Sequence, residues 1–171
     1  MKRLLFLSAC FVIFMASCQV HNDALVAPTS TITATVDGVN ESFNSNDTVR
    51  SIGSTGMYVS GTNAANSDKI IFILGSSNGL DTGKYSSTAA TNNGIQVLYG
   101  VGPGYTADNY YYNYNISGGP SYDGTLTITS ISSTRVQGTF SGTLVQESSV
   151  FSTGIRLTKT IANGKFDLIK Q

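Results

Sequence analysis

At 171 residues the chain has room for one domain and a tail. Ten Lys and Arg balance ten Asp and Glu, and charged residues make up only 12%, which excludes a polyelectrolyte tail and leaves no basic stripe for nucleic-acid phosphates. Ser, Thr, Asn and Gly supply 73 residues, a composition of turns and β-surface, while a 40% hydrophobic share suffices for a core and argues against plain disorder.

Lys2 and Arg3 precede Leu4 to Phe14, an apolar run of eleven residues broken only by Ser8. Spanning about 30 Å of hydrocarbon takes roughly 20 residues, so this run reads as the h-region of a signal peptide. It ends in Met15-Ala16-Ser17-Cys18, the pattern of a bacterial lipobox, in which the Cys is acylated and the chain is cut just before it. Leu7-Ser8-Ala9-Cys10 has the same pattern but is preceded by only Leu4 to Phe6, too short an h-region. The expected organisation is a lipoprotein signal peptide at 1–17, a lipidated Cys18 with a tether to residue 30, and one domain over 31–171. The tether holds His21 and Pro28 and shows no helical or strand period; as a coil it reaches on the order of 20 Å. With Cys18 the only cysteine after cleavage, no disulfide can form within the chain, and stability must come from the core.

From Thr31 the pattern is short apolar–polar alternation punctuated by turn dipeptides. Ile32, Ala34 and Val36 share a face, and Asp37-Gly38 turns the chain back toward Phe43. Met57 to Ser60 is a short strand, and Lys69 to Leu74, with five successive apolar residues, predicts a strand covered on both faces. Ile95, Val97, Tyr99 and Val101 alternate, Gly102-Pro103-Gly104 makes a loop, and Tyr110 to Ile116 makes another strand. Leu126 and Ile128 oppose Thr125, Thr127 and Thr129; Val136, Gly138, Phe140, Gly142 and Leu144 share a face whose glycines predict bends or close backbone approach. Ile155, Leu157 and Ile161 continue the alternation with Lys159 as its exception, and Asn163-Gly164 is expected to turn the chain into Phe166 and Leu168. No segment after Cys18 carries a capped helical stripe. The fold class is all-β, an antiparallel β-sandwich or flattened β-barrel of about 9–12 strands.

The lipobox, Ala34-Thr35-Val36-Asp37-Gly38 with Phe43 behind it, Gly83-Lys84-Tyr85, Gly124-Thr125-Leu126-Thr127-Ile128, Val136 to Ser141 and Asn163-Gly164-Lys165-Phe166 together resemble a family of small envelope lipoproteins of Bacteroidota, over about residues 31–169. The resemblance implies an all-β domain held on the cell envelope, at the outer membrane, and lends no catalytic residue. Asp47-Thr48-Val49 resembles the acceptor motif of envelope O-glycosylation in those bacteria, which makes Thr48 a candidate modification site.

Motifs with catalytic potential lack their context. Gly75-Ser76-Ser77-Asn78-Gly79 fits a nucleophile elbow after a strand, yet Leu80 to Tyr85 is no helix and His21 lies in the tether, so a turn is expected. Glycosidase chemistry wants two carboxylates about 5–10 Å apart, and the chain after Cys18 offers Glu41, Glu147 and eight Asp, several in turns that use the side chain locally. No His/Cys cluster suits zinc, and Asn44 to Asp47 lacks the spaced acids of a calcium loop. Gly100 to Gly104 precedes a Tyr-rich strand rather than a helix N-terminus, so it is no phosphate loop. Neither catalysis, a metal nor a cofactor is expected. The feature with binding character is Tyr110, Tyr112 and Tyr114 on one strand face beside Asn113 and Asn115, suited to a sugar or a polar protein surface. The function expected from sequence is a non-enzymatic, lipid-anchored envelope protein, partnered by the membrane and by an envelope protein or glycan but not by nucleic acid, with the tyrosine strand as the alternative ligand surface.

Overall fold

The computed structural model describes residues 29–44, 49–87, 93–104, 109–115, 121–149 and 155–170. Cys18, His21 and Thr48 lie outside them. The described residues form thirteen strands: β1 (Thr31–Val36), β2 (Val39–Ser42), β3 (Val49–Ile52), β4 (Gly56–Thr62), β5 (Lys69–Ser76), β6 (Gly83–Ser86), β7 (Asn93–Gly100), β8 (Tyr110–Tyr112), β9 (Tyr114–Asn115), β10 (Ser121–Tyr122), β11 (Gly124–Ile131), β12 (Arg135–Gln146) and β13 (Thr158–Ile169). A 3-10 turn, Glu147–Ser149, follows β12.

All pairings are antiparallel. Eleven strands build one sheet in the order β3-β4-β5-β7-β8-β12-β13-β1-β2, with β11 and then β6 branching from β12; β9 and β10 pair separately. The branch exists because β12 is long: Gly142 and the residues before it pair with β11, whereas Val145 and Gln146 pair with β8. The sheet curls into an all-β half-barrel, and the aromatic core shows why. Phe72 of β5 stacks against Phe140 of β12 at 4.4 Å and lies 6.0 Å from Phe166 of β13, so strands far apart in the sheet order meet across the interior. Ile32, Val59, Val97, Leu126, Val136, Leu144 and Leu168, each fully buried, fill the space around these rings. The close approach requires glycine. A Cβ on Gly138 would collide with the Thr127 carbonyl and the Phe166 ring, so the spacing of Val136-x-Gly138-x-Phe140 reflects a ring packed against bare backbone.

The first hairpin forms at Asp37-Gly38, both with positive φ (48° and 86°), as a two-residue primed turn demands. Asn163-Gly164, expected as a turn, instead sits inside β13. There is one residue on β1 between Thr33 and Thr35 and two on β13 between Lys165 and Ala162, and β12 skips similarly between Phe140 and Gly142. Asn163 (φ 52°) and Gly164 form a β-bulge between two neighbours, and the extra residue explains why the buried positions run Ile161, Gly164, Phe166, Leu168 instead of in strict alternation. Local chemistry marks a left-handed residue; whether it reverses the chain depends on the partners on either side.

Other departures are of the same kind. Ile155 (89% exposed) and Leu157 precede β13 and face solvent rather than joining its apolar face. On β5, Ile70, Ile71, Phe72 and Leu74 are buried, but Ile73 is exposed beside Tyr58 of β4. The strand expected over 110–116 is two: Asn113 interrupts it, its side-chain carbonyl accepting from the Val97 N–H and its amide donating to the Ile95 carbonyl. An Asn side chain thus stands in for ladder partners of β7, and β9 leaves to pair with β10.

Candidate functional site

The tyrosine strand does not present an open row of rings. Tyr110 and Tyr112 share a face and Tyr111 the other, as alternation requires, yet Tyr110 and Tyr111 are each only 8% exposed. Tyr110 covers bare backbone at Gly100, and Tyr111 joins the interior core. Tyr112 is half-buried next to Leu98 and Val145. Tyr114 belongs to the separate β9–β10 pair, so the three residues expected on one strand are divided between two sheets.

Polar chemistry concentrates instead inside one mouth of the half-barrel. The β2 hairpin arm places Glu41 opposite Ala34 of β1, the turn after β4 delivers Asp68, and β7 brings Tyr99 up from the core, 2% exposed and edge-on to Phe43 at 6.3 Å. The Tyr99 hydroxyl bonds Asp68 Oδ2 and lies 3.0 Å from Glu41 Oε1. A phenol has one proton, so two carboxylates converge on a single donor. Burial, with Asp68 and then Glu41 beside it, pushes the Tyr99 hydroxyl far above the usual phenol range. The remaining carboxylate oxygens are also engaged. Asp68 Oδ1 accepts from the Gly102 N–H (2.8 Å), Asp68 Oδ2 from the Asn66 amide (3.0 Å), and Glu41 Oε2 from the Asn63 amide (3.1 Å). The Gly102-Pro103-Gly104 loop, with Gly102 at φ 69°, therefore aims a backbone donor at a buried acid.

On the neighbouring strand Lys159, the exception in the apolar alternation of β13, points inward. Its ammonium pairs with Asp37 Oδ2 at 2.8 Å and lies 5.8 Å from the centre of the Tyr111 ring. The Asp37 hydrogen bond holds the Lys159 pKa above its ordinary value against partial burial, and the Asp37, Tyr111 and Asp68 charges add to it. Burial works against the Asp37 carboxylate, but the Lys159 hydrogen bond, the Thr160 N–H and the Lys159 charge together outweigh it and hold its pKa below the ordinary value. Sequence reasoning put several of the aspartates in turns and gave Glu41 no partner; the fold brings Glu41 and Asp68 together on Tyr99. The signal available was a charge at an inward strand position, legible at Lys159; Glu41 and Asp68 meet only through tertiary contact.

Two surface cavities lie on the opposite, outer face. One, of about 450 Å³, is bordered by Thr33, Thr35, Asn40, Ser42, Asn163 and Lys165. The second, of about 670 Å³, shares Asn163 and Lys165 and extends over Thr139, Ser141, Thr127 and Lys84. Neither is lined by Asp68 or Tyr99. Gly75 and Ser76 end β5 and Ser77-Asn78 turns the chain, with Gly79 at φ 93° and its N–H on the Ser76 carbonyl. Among the described residues no group of three His, Cys, Asp or Glu could hold a metal ion, and no helix is long and apolar enough to cross a membrane. Comparison with family models, curated proteins and solved structures finds no match to this chain.

Proposed function

We propose that this chain is a lipid-anchored protein of the cell envelope, held at the outer membrane through Cys18, whose β-domain works by binding rather than catalysis. The observation that carries the reading is Met15-Ala16-Ser17-Cys18 behind a positive start and an eleven-residue apolar run. Two or three acyl chains, each buried CH₂ worth about 0.8 kcal/mol, make release from a bilayer negligible, and the residues between Cys18 and β1 keep the domain off the lipid. The binding part draws support from the mouth of the half-barrel: Glu41 and Asp68, placed as acid–base groups would be, spend their oxygens on Tyr99, Asn63, Asn66 and Gly102.

Metabolic labelling with a palmitate analogue tests the anchor. The wild-type chain should take up label and sediment with membranes, Cys18→Ser should do neither, and globomycin should leave an uncleaved precursor. An unmodified Cys18 thiol in the mature chain, with the protein free in solution, would refute it.

A further inference from the structure

The outer face of β2-β1-β13-β12-β11-β6 carries a continuous row in strict register: Ser42 opposite Thr33, Thr33 opposite Lys165, Lys165 opposite Thr139, Thr139 opposite Thr127, and Thr127 opposite Lys84. Neighbouring strands lie about 4.8 Å apart, so the row is a hydroxyl lattice with two lysines rooted three strand steps, on the order of 14 Å, from each other. Among the described residues, no hydrogen bond or ion pair engages the side chains of Lys84, Lys165, Thr127 or Thr139. The carboxylate on the same face of β13, Asp167, is spent on Arg135 and Gln137, and Glu41, which borders the first cavity, is turned inward to Tyr99 and Asn63. In a chain with equal numbers of acids and bases, two unpaired lysines over two adjoining cavities are a departure from the mixed surface such a composition predicts.

From this register we infer that the face binds an acidic polysaccharide, a chain rich in hydroxyls with widely spaced carboxylates. Threonine is stiff at χ1, so its hydroxyls are ordered before the ligand arrives and little entropy is lost on binding. Lysine is a point charge on a flexible stem, able to follow a carboxylate on a mobile chain. The charge spacing argues against duplex DNA: each strand carries a phosphate about every 3.4 Å of helix axis, and two lysines rooted on the order of 14 Å apart would leave most of them unmatched. This site is separate from the tyrosine strand and from the anchor, and the face is intact whether or not Cys18 is acylated.

The test measures binding of hyaluronate oligomers, with one carboxylate on every second sugar, to the mature acylated protein in detergent micelles, with neutral dextran and double-stranded DNA as comparators. Wild type should bind hyaluronate and not dextran. Lys84→Gln and Lys165→Gln should each weaken binding about tenfold, Thr127→Val with Thr139→Val should weaken it as well, and Lys170→Gln, off the row, should leave it unchanged. Wild-type affinity in the Lys84→Gln, Lys165→Gln double variant overturns the site. Equal binding of dextran overturns the acidic class. Displacement by DNA at matched charge, or indifference to the threonine pair, reduces the face to a simple cationic patch and overturns the proposal too.

Discussion

Removing the Tyr99 hydroxyl should change the pH dependence of stability in a way that isolates one proton. In Tyr99→Phe the ring still fills its place against Phe43, but Asp68 and Glu41 lose the donor they share. A hydrogen bond to a charged group contributes about 1.5–3 kcal/mol; because Asp68 keeps the Gly102 N–H and the Asn66 amide, a loss near the lower end is expected at pH 8. The raised phenol pKa adds a second signature. Near pH 10 the unfolded chain releases the tyrosine proton while the folded chain retains it, so the unfolded state binds fewer protons and stability falls as pH rises; below that range the contribution is fully present. By pH 11 the wild-type protein should have lost about 1.4 kcal/mol that the Phe variant cannot lose, so the gap between them should narrow by that amount from pH 8 to 11. Urea unfolding of the two proteins, followed by tyrosine fluorescence and far-UV circular dichroism across this range, reads the difference directly, and the remaining tyrosines and lysines cancel in it. A gap that stays constant with pH would mean the hydroxyl is as free to ionise in the folded protein as in the unfolded chain, and the buried acid–phenol hub would be wrong.

Gly138→Ala forces a methyl into the Thr127 carbonyl and the Phe166 ring and should cost about 1–3 kcal/mol in urea unfolding, whereas Gly75→Ala, whose Cβ meets open space, should cost little; equal losses would remove close approach as the reason for glycine in β12. Asp167 is held below the ordinary carboxylate pKa by its Arg135 hydrogen bond first, against partial burial, with Gln137 and the Arg135 charge helping. That contribution is complete above about pH 4 and is lost as pH falls below it, so the stability gap between wild type and Asp167→Asn should close in acid, and a gap independent of pH would contradict the pairing.

Much of the fold was legible because its causes are local. Period-two alternation gave the core faces of β1, β7, β11 and β12, and Asp37-Gly38 supplied the turn chemistry of the first hairpin. Asn163-Gly164 shows where that logic stops: the same dipeptide preference for positive φ serves a hairpin or a bulge, and pairing with both β1 and β12 selected the bulge. The tyrosine strand is divided for a related reason. Alternation correctly put Tyr110 and Tyr112 together, but it carries no information on whether a face is covered, and Asn113 ended the strand by bonding across to β7.

Composition and order along the chain were enough to determine an antiparallel all-β fold, since alternation and turn chemistry depend on near neighbours. Tertiary structure alone decided that Glu41, Asp68 and Tyr99 converge, that Lys159 turns inward to Asp37, and that Lys165 and Lys84 stand in one row of hydroxyls. Those groups come from positions as far apart in sequence as the β1–β2 turn and β13. Their proximity follows from register and from the curl imposed by three packed phenylalanines, quantities that no local pattern encodes.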